Sequence, residues 1–225
     1  MQLYVGRVWG MDPQHRRTVL ADAALAVLAH EGSRGLTHRA VDARAGLPAG
    51  STSYYHRSRA ALLTACVQRL VQMDHLDLDA MTPLVTARDA GALGDAMAGV
   101  LGRWLTEDRA RHLARYELSL EAVRRPELAA ELHRGGVEIR GRIAEVLAGL
   151  GALEPARQAA LLVACVDGLL FDAIAGTNAA APVDQEVVRD AVRDLVRAVL
   201  PPHGRATAGP QGGPASGAPP RRQHG

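Results

Sequence analysis

Residues 35–63 read GLTHRAVDARAGLPAGSTSYYHRSRAALL, and this stretch decides how the rest of the chain is interpreted. The Thr37 hydroxyl can accept a backbone N–H at the start of a helix, and the run HRAVDARA that follows is long enough for about two turns. Gly46 supplies the left-handed residue that commonly ends a helix. A second short helix is predicted from Ala49. Two short helices joined by a turn that contains Gly form a helix-turn-helix pattern.

The second helix is unusual for the residue types that it lacks. Between Ala49 and Arg59 the sequence has no Leu, Ile, Val, Met or acidic residue. A helix that served only the core would need apolar residues at i, i+3 and i+4. The hydroxyls, tyrosines and arginines found instead suit phosphate oxygens and base edges. An exposed polar turn between two helices would have the same composition, so composition alone leaves both interpretations open.

The order of these residues resembles the DNA-binding domain of TetR-family transcriptional regulators. The resemblance spans roughly residues 12–65 and needs no gap. It implies a three-helix head followed by a helical body that binds an effector and forms a dimer. The shared segments are Thr37-His38-Arg39, Ala45-Gly46-Leu47, Gly50-Ser51, Tyr54-Tyr55, Ser58-Arg59 and Leu62-Leu63.

Three residues depart from the usual pattern of that family. Asp42 stands where a small Ala usually packs the two helices together, His56 replaces a common Phe, and Ser53 replaces a common Tyr. A nearby Arg is the partner we expect for Asp42. These changes affect the details of base contact rather than the motif.

The resemblance implies a set of residues that contact double-stranded DNA at an inverted-repeat operator. We expect phosphate contacts from Thr37, Ser51, Tyr54-Tyr55 and Arg59. We expect Arg39, Ala49-Gly50 and Ser53 to lie nearest the bases. The complete set is Thr37, His38, Arg39, Ala49, Gly50, Ser51, Ser53, Tyr54, Tyr55 and Arg59.

Composition supports a helical protein with a basic head. The 225 residues are 48% hydrophobic but only 3% aromatic, which favours packed helices over a sheet. All 26 basic side chains are Arg. Residues 1–65 hold 8 Arg and 4 acidic groups, a net +4, whereas residues 66–200 hold 15 Arg and 20 acidic groups, a net −5. A basic head on an acidic body is typical of a nucleic-acid-binding module joined to a second module.

The remaining pattern predicts an all-α chain in four parts. These are a flexible arm at 1–10, a helix-turn-helix domain at 11–58, an effector-binding and dimerisation domain at 59–200, and a disordered tail at 201–225. The first helix begins at Asp12-Pro13 and ends at Gly32. Within the predicted helical run at 126–149, Gly135 and its neighbours mark a kink or a close contact. A long helix from Arg59 ends near Asp79, before Thr82-Pro83. Five helical runs follow, at 88–106, 108–124, 126–149, 155–176 and 184–199.

The body contains three aromatic residues, which are either ordinary core residues or part of an effector pocket. The family resemblance implies an apolar pocket with a few polar anchors, suited to an apolar or amphipathic effector. The candidate residues are Trp104, His112, Tyr116, Glu117, Leu120 and Phe171.

The last two helices are unusually apolar for the end of a chain. Such helices either lie deep in their own subunit or meet a partner. The family resemblance implies that they pair with their mates as a four-helix homodimer interface, in which Gly168 allows close approach. The candidate residues are Leu161, Cys165, Gly168, Leu169, Val188, Val192 and Leu195.

Other classes of function find little support in the sequence. No nucleotide-binding, hydrolase or zinc-protease motif occurs, so neither an enzyme nor a cofactor is expected. The spacing of His75, Asp77 and Asp79 splits them across helix faces, so a solvated helix end is favoured over a metal site. Cys66 and Cys165 stand 99 positions apart and are expected to be free thiols.

These observations predict a sequence-specific DNA-binding regulator, specifically a repressor released by a small molecule. The rival is a helical small-molecule-binding protein whose head no longer binds DNA. Neither an export signal nor a membrane span is evident, and we therefore expect a cytoplasmic protein.

Overall fold

A computed structural model describes residues 12–80 and 86–200, and these residues form only α-helices and their connections. The predicted all-α class is confirmed. The predicted arm at 1–10, the break at Thr82-Pro83 and the predicted tail at 201–225 lie outside the described residues. The helices are α1 (Pro13–Gly35), α2 (His38–Ala45), α3 (Ser51–Tyr55), α4 (Arg59–Ala80), α5 (Ala90–Thr106), α6 (Arg109–Ala122), α7 (Pro126–Gly149), α8 (Pro155–Ile174) and α9 (Gln185–Val199).

Three predicted helix boundaries in the head, the starts of α1 and α2 and the end of α2, are confirmed by their capping contacts. Helix α3 begins at Ser51 rather than at the predicted Ala49, and α1 continues past Gly32 to Gly35. The Asp12 side chain caps α1 by accepting a hydrogen bond from a first-turn amide. The Thr37 hydroxyl caps α2 by accepting from Ala40 N at 3.1 Å. Gly46 ends α2 with a φ of 65°, and Gly32 interrupts α1 with a φ of 67°. Both glycines therefore hold left-handed backbone that other residues rarely adopt.

The first apolar core joins the head to part of the body. It combines α1, α2 and α4 with one face of α6 and the start of α7. Each fully buried leucine contributes about 1.5–3 kcal/mol by leaving water. The packing therefore runs across the predicted boundary at residue 58, and the division into domains stays a proposal. The fully buried leucines of this core are Leu20, Leu28, Leu36, Leu62, Leu63, Leu70, Leu118 and Leu128.

The second core holds the remainder of the body together. It is built from α5, α8, α9 and the second half of α7. Helix α9 packs mainly against α5. Val192 of α9 is 0% exposed because it faces this core. Its side chain is therefore occupied inside its own subunit, which differs from the interface role expected of it.

Gly135 permits a close contact between two long helices. Helix α7 is continuous from Pro126 to Gly149, so the glycines within it do not end it. A Cβ atom at Gly135 would overlap the Val71 side chain of α4. Of the two predicted alternatives, a kink or a close contact, the structure has the contact.

Several smaller expectations can be compared directly with the structure. Cys66 and Cys165 are free thiols, as expected. His75 pairs with Glu138, whereas Asp77 and Asp79 bind different arginines. Within residues 12–80 and 86–200, no helix combines the length and the apolar character that crossing a bilayer requires.

Candidate DNA-binding surface and effector site

Helix α3 has one buried anchor and an exposed surface. Thr52 is fully buried, whereas Ser53 and Tyr54 are exposed. The Tyr54 side chain is 76% exposed and meets the Tyr55 ring edge-on, with 5.0 Å between ring centroids. The Arg17 guanidinium lies 5.4 Å from the centroid of the Tyr55 ring. An exposed tyrosine beside a cation over an aromatic ring is a suitable surface for a phosphate backbone.

Two serines of α3 are already engaged with the preceding turn. Ser51 Oγ donates to Pro48 O at 2.7 Å, and Ser53 Oγ donates to Gly50 O at 2.9 Å. Each hydroxyl retains lone pairs that can accept a further hydrogen bond. Gly50 precedes the helix with a φ of 96°, a conformation that only glycine adopts readily.

Asp42 reaches from α2 to the start of α3. The side chain is buried, and Oδ2 accepts from Gly50 N at 2.8 Å. Oδ1 accepts from Thr52 N at 2.7 Å and from Thr52 Oγ at 2.6 Å. The expected Arg partner is therefore replaced by the backbone and hydroxyl of the next helix. The sequence could not indicate this, because the contact depends on how the turn at 46–49 folds back.

Two histidines meet at the other end of α3. His38 Nε2 donates to the backbone oxygen of His56 at 2.6 Å. The His56 ring is buried where an apolar residue was expected, and its Nε2 has no partner among the described residues. Burial, with Arg17 and His38 nearby, lowers the pKa of His56. A neutral ring therefore fills this apolar position near neutral pH.

The other predicted DNA contacts have different surroundings. Thr37, Arg39 and Ala49 are exposed. Arg59, in contrast, is turned toward the α1–α2 connection, where Nη1 donates to the Leu36 carbonyl and Nη2 donates to Ser33 O at 2.5 Å. The guanidinium is thus engaged within the protein, which differs from the phosphate contact expected of it.

The same Ser33 joins the head to the body. Ser33 N donates to Glu117 Oε2 at 3.0 Å, and Ser33 Oγ donates to Glu121 Oε2 at 2.7 Å. Arg59 Nη2 also donates to Ser33 Oγ at 2.9 Å. Hydrogen bonds from Arg125 and Ser33 lower the pKa of Glu121. We call Ser33, Arg59, Glu117 and Glu121 the Ser33 junction.

One aromatic cluster of the body is centred on Trp104. Its ring lies 4.7 Å from the His112 ring, centroid to centroid, and its Nε1 donates to Asp77 Oδ2 at 2.9 Å. Arg111 also donates to Asp77 Oδ2, at 2.5 Å. Burial, together with Arg115 and Arg111, lowers the pKa of His112 to about 2. The ring is therefore neutral, and its buried Nδ1 has no partner in the described part of the chain.

A second cluster lies further along the same helix. The Tyr116 and Phe171 rings meet edge-on with 5.0 Å between centroids, and Tyr116 Oη lies 3.5 Å from Asp167 Oδ1. Burial raises the pKa of Tyr116. Glu117 instead belongs to the Ser33 junction, and Leu120 is 64% exposed. The structure therefore brings the predicted pocket residues together only as two ring pairs, Trp104–His112 and Tyr116–Phe171.

One described cavity has a different lining. It has a volume of about 310 Å³ and opens between the end of α4, the connection before α5, and α7. Arg88, Arg142 and Glu145 line it together with apolar side chains, and none of the predicted effector residues borders it. The two rings of each pair are already in contact, so a ligand that binds between them has to separate them.

Helix α8 presents apolar side chains to solvent. Leu161 is 56% exposed and Phe171 is 47% exposed, and Leu169 is also exposed. A Cβ atom at Gly168 would have no described atom within 4 Å. Cys165, together with Val188 and Leu195 of α9, is half-buried. Of the predicted interface residues, all but Val192 therefore retain exposed surface.

Comparison with known proteins agrees with this architecture. A family model described as the C-terminal domain of tetracyclin repressor-like proteins matches residues 88–202. A solved transcriptional regulator from Rhodococcus sp. Rha1 is 27% identical, with 81% of this chain and 95% of that chain covered and a TM-score of 0.68. No curated protein matched the chain.

Two further solved structures share more sequence. A member of the TetR family from Streptomyces coelicolor A3 is 31% identical, with 80% of this chain and 97% of that chain covered and a TM-score of 0.62. The multidrug binding protein EbrR, solved with imidazole, is 32% identical, with 82% and 90% covered and a TM-score of 0.59. The chain belongs to the TetR family and is a transcriptional regulator.

Proposed function

We propose that this regulator is a homodimeric repressor that binds an inverted-repeat operator and is released by an apolar or amphipathic molecule. It acts on DNA in the cytoplasm and has no catalytic role. The single observation that carries the proposal is the surface of α3. Thr52 is buried and Tyr55 packs partly against the first core, whereas Ser53 and Tyr54 are exposed, Tyr54 by 76%.

The DNA-binding part of the proposal rests on charge and exposure. Arg39, Ser53 and Tyr54 are exposed on α2 and α3, within a segment whose net charge is +4 over residues 1–65. Arginine and hydroxyl groups recognise both phosphates and base edges. A dimer that presents one α3 helix per subunit fits two half-sites spaced by about one helical turn, or a multiple of it.

The effector part rests on the two ring pairs of α6. The buried Nδ1 of His112 has no partner among the described residues, and an unsatisfied buried nitrogen favours a ligand that supplies one. EbrR has been solved with ethidium, malachite green and proflavin. We infer that a flat aromatic molecule takes the place of the ring contacts at Trp104 and Phe171.

Helix α6 connects the proposed effector site to the head. His112 and Tyr116 carry the ring contacts, and Glu117 and Glu121 bind Ser33. A ligand that separates the rings therefore acts on the helix that holds the α1–α2 connection. To lower DNA affinity tenfold, the ligand must bind the released state better by about 1.4 kcal/mol.

The dimer part rests on exposed apolar side chains of α8. Leu161 and Leu169 are large apolar side chains that a subunit in isolation leaves in water. Exposed apolar groups that follow one another along a helix are typical of an association surface. Gly168 lies among them without a neighbouring side chain, which permits close approach of a second helix.

Selection from a randomised duplex library with the purified protein tests the proposal. We expect enrichment of an inverted repeat that binds one or more dimers. Ethidium and proflavin are then titrated into the complex, and a flat aromatic ligand is expected to release the DNA. Failure to enrich any sequence, combined with tight binding of either dye, would favour the rival small-molecule-binding protein.

A further inference from the structure

We propose that Asp42 and His38 form a two-point clamp that sets the position of α3 and thereby determines DNA specificity, although neither side chain reads a base. This proposal rests on the proposed DNA-binding function. In it, Asp42 and His38 act as positioning residues for α3. The observation behind it is that the two side chains engage opposite ends of the same five-residue helix.

Helix α3 cannot hold its own position. It spans only Ser51–Tyr55, and helices this short are unstable without outside contacts. Thr52 is its one fully buried residue and Tyr55 packs against the first core only in part, so apolar packing alone does not fix both ends of the helix. Its N-cap residue, Gly50, has no side chain with which to satisfy the first amides. The contacts that fix it must come from another element.

Asp42 supplies the contact at the start of α3. Its two carboxylate oxygens accept from Gly50 N, Thr52 N and Thr52 Oγ at 2.6–2.8 Å. Hydrogen bonds to an ionised acceptor are stronger than neutral ones, and the contact is almost entirely shielded from water because Asp42 is only 4% exposed. The carboxylate therefore replaces the N-cap side chain that α3 lacks.

His38 supplies the contact at the end of α3. Its Nε2 donates to the backbone oxygen of His56, the residue that follows the helix, at 2.6 Å. Residues 38 and 42 are four apart on α2, so their side chains lie one above the other on the same face. The rigid helix α2 thus holds both ends of α3 at once. The angle between the two helices, and with it the direction of Ser53 and Tyr54, is set by this pair.

Loss of the clamp is expected to reduce specific binding more than non-specific binding. Base readout needs α3 in one position, and the apparent dissociation constant rises as the fraction of molecules in that position falls. Contacts to phosphates tolerate more variation because they carry no sequence information. The ratio of specific to non-specific affinity is therefore the diagnostic quantity.

The first test substitutes Asp42→Asn, with Asp22→Asn as the matched control. The substituted side chain can still accept at its one oxygen, but its amide group would present hydrogens to the N–H of Gly50. Asp22 pairs with Arg69 in the same head and its substitution changes the net charge equally. On the duplex selected by the wild type, we expect Asp42→Asn to weaken binding at least about tenfold relative to Asp22→Asn, with a change under about threefold on a scrambled duplex.

The second test addresses the other end of the helix. His38→Leu removes the donor to His56 O, whereas His38→Gln retains an amide donor of similar reach. We expect His38→Leu to lose specific affinity and His38→Gln to recover most of it. Equal losses in both variants would show that the hydrogen bond does not position α3.

Amide hydrogen exchange distinguishes the clamp from the proposed DNA function and from misfolding. In Asp42→Asn, we expect faster exchange in α3 and unchanged exchange over Leu20–Leu28 of α1, because the apolar core is intact. If the wild type selects no DNA sequence, the proposed function fails, and the clamp is then tested by amide exchange in α3 alone. If exchange in α1 also becomes faster in Asp42→Asn, the clamp is tested by comparing His38→Leu with His38→Gln. Unchanged exchange in α3, or binding by Asp42→Asn equal to that by Asp22→Asn, would overturn the proposal.

Discussion

Around α3 the buried carboxylate of Asp42 accepts three hydrogen bonds, whereas in the body the buried ring of His112 leaves Nδ1 without a partner among the described residues. Both groups are polar and both are shielded from water. A satisfied buried group fixes one arrangement, and an unsatisfied one is costly until something binds it. The Asp42 carboxylate thus fixes the position of α3, whereas the His112 nitrogen, like Nε2 of the buried His56 in the head, has no described partner.

The head and the body also differ in the side chains that they expose to solvent. The head exposes Tyr54 and arginines, which suit DNA, and the body exposes Leu161 and Leu169, which suit another apolar surface. The head is also net positive, whereas the body is net negative. Each surface is thus matched to one class of macromolecular partner, and substitutions in one are expected to leave the other intact.

The largest expected effect tests the apolar surface of α8. Gly168→Glu places a charge where two subunits are proposed to meet, and an unpaired buried charge costs several kcal/mol. We expect the dimer dissociation constant to rise by about a hundredfold or more. Analytical ultracentrifugation measures this change.

The control for that substitution is Gly141→Glu. Gly141 lies in the interior of α7 and is exposed, and a Cβ atom there would likewise have no described atom within 4 Å. Its substitution carries the same helix and charge changes without touching α8. Equal effects of the two substitutions on dimerisation, or a wild type that is monomeric at micromolar concentration, would contradict the interface.

The second prediction tests the unsatisfied histidine of the body through pH. The pKa of His112 is lowered to about 2 in the folded protein, against about 6.5 for an ordinary histidine. Below pH 6.5 the unfolded state binds a proton that the folded state does not, so stability falls as pH falls. The loss approaches about 1.4 kcal/mol per pH unit, or roughly 2–3 kcal/mol between pH 6.5 and 4.5.

The measurement compares urea unfolding of the wild type and of His112→Phe between pH 7 and 4.5. The variant lacks the titrating group, so the difference in unfolding free energy is expected to shift in favour of His112→Phe as the pH falls. His56, whose pKa is also lowered, titrates in both proteins and cancels. A difference that is independent of pH would contradict the buried neutral ring.

Three helix boundaries of the head could be predicted from the sequence, because capping and helix-ending signals are local. Asp12, Thr37 and Gly46 act within a few residues of their own position, and each does so in the structure. The roles of Asp42 and Arg59 could not be predicted. Their partners lie eight or more positions away and are brought near only by the packing of separate helices.

The same limit applies to the body. Apolar periodicity predicted that α9 has an apolar stripe, but it could not say which neighbour covers each residue. Val192 is buried in the second core of its own subunit, whereas Leu161 on α8 remains exposed. The shared helix predicts that Glu117 lies beside Tyr116 in the effector site, yet its carboxylate accepts a hydrogen bond from Ser33 N in the head. Sequence spacing identifies a helix face, and tertiary packing decides what that face contacts.

The third prediction sharpens the contrast between exposed and packed side chains of α3. Tyr54→Ala should weaken binding to the selected duplex by about 1–3 kcal/mol, because an exposed contact to DNA is lost. Its unfolding free energy should change by less than about 0.5 kcal/mol. Tyr55, which is half-buried against the first core, provides the comparison. Tyr55→Ala should lower stability as well as binding.

Those two quantities are measured by fluorescence titration and by urea unfolding of the same preparations. If Tyr54→Ala destabilises the protein as much as Tyr55→Ala does, the exposed position assigned to Tyr54 is wrong. If Tyr54→Ala leaves binding unchanged, α3 presents a different surface to DNA.

The smallest expected effect concerns the link between the two regions. Ser33→Ala removes the hydroxyl that joins Glu121 to Arg59 but retains the amide contact to Glu117. We expect the coupling free energy between dye binding and DNA binding to fall by about 0.5–1.5 kcal/mol.

The coupling is obtained from the DNA dissociation constants with and without saturating dye. Ser119→Ala is the matched control, since the Ser119 hydroxyl lies on α6 but donates to Arg115 O of the same helix. We expect Ser119→Ala to retain the wild-type coupling. Equal coupling in both variants and the wild type would show that the Ser33 junction does not transmit the effect.

The central claim, that α3 reads DNA sequence, is tested most directly by titrating the wild type on its selected duplex and on a scrambled duplex at two salt concentrations. The account predicts that the selected duplex is bound at least about a thousandfold more tightly at physiological salt, and that both affinities fall as salt rises. Equal and weak binding to the two duplexes at physiological salt would contradict it.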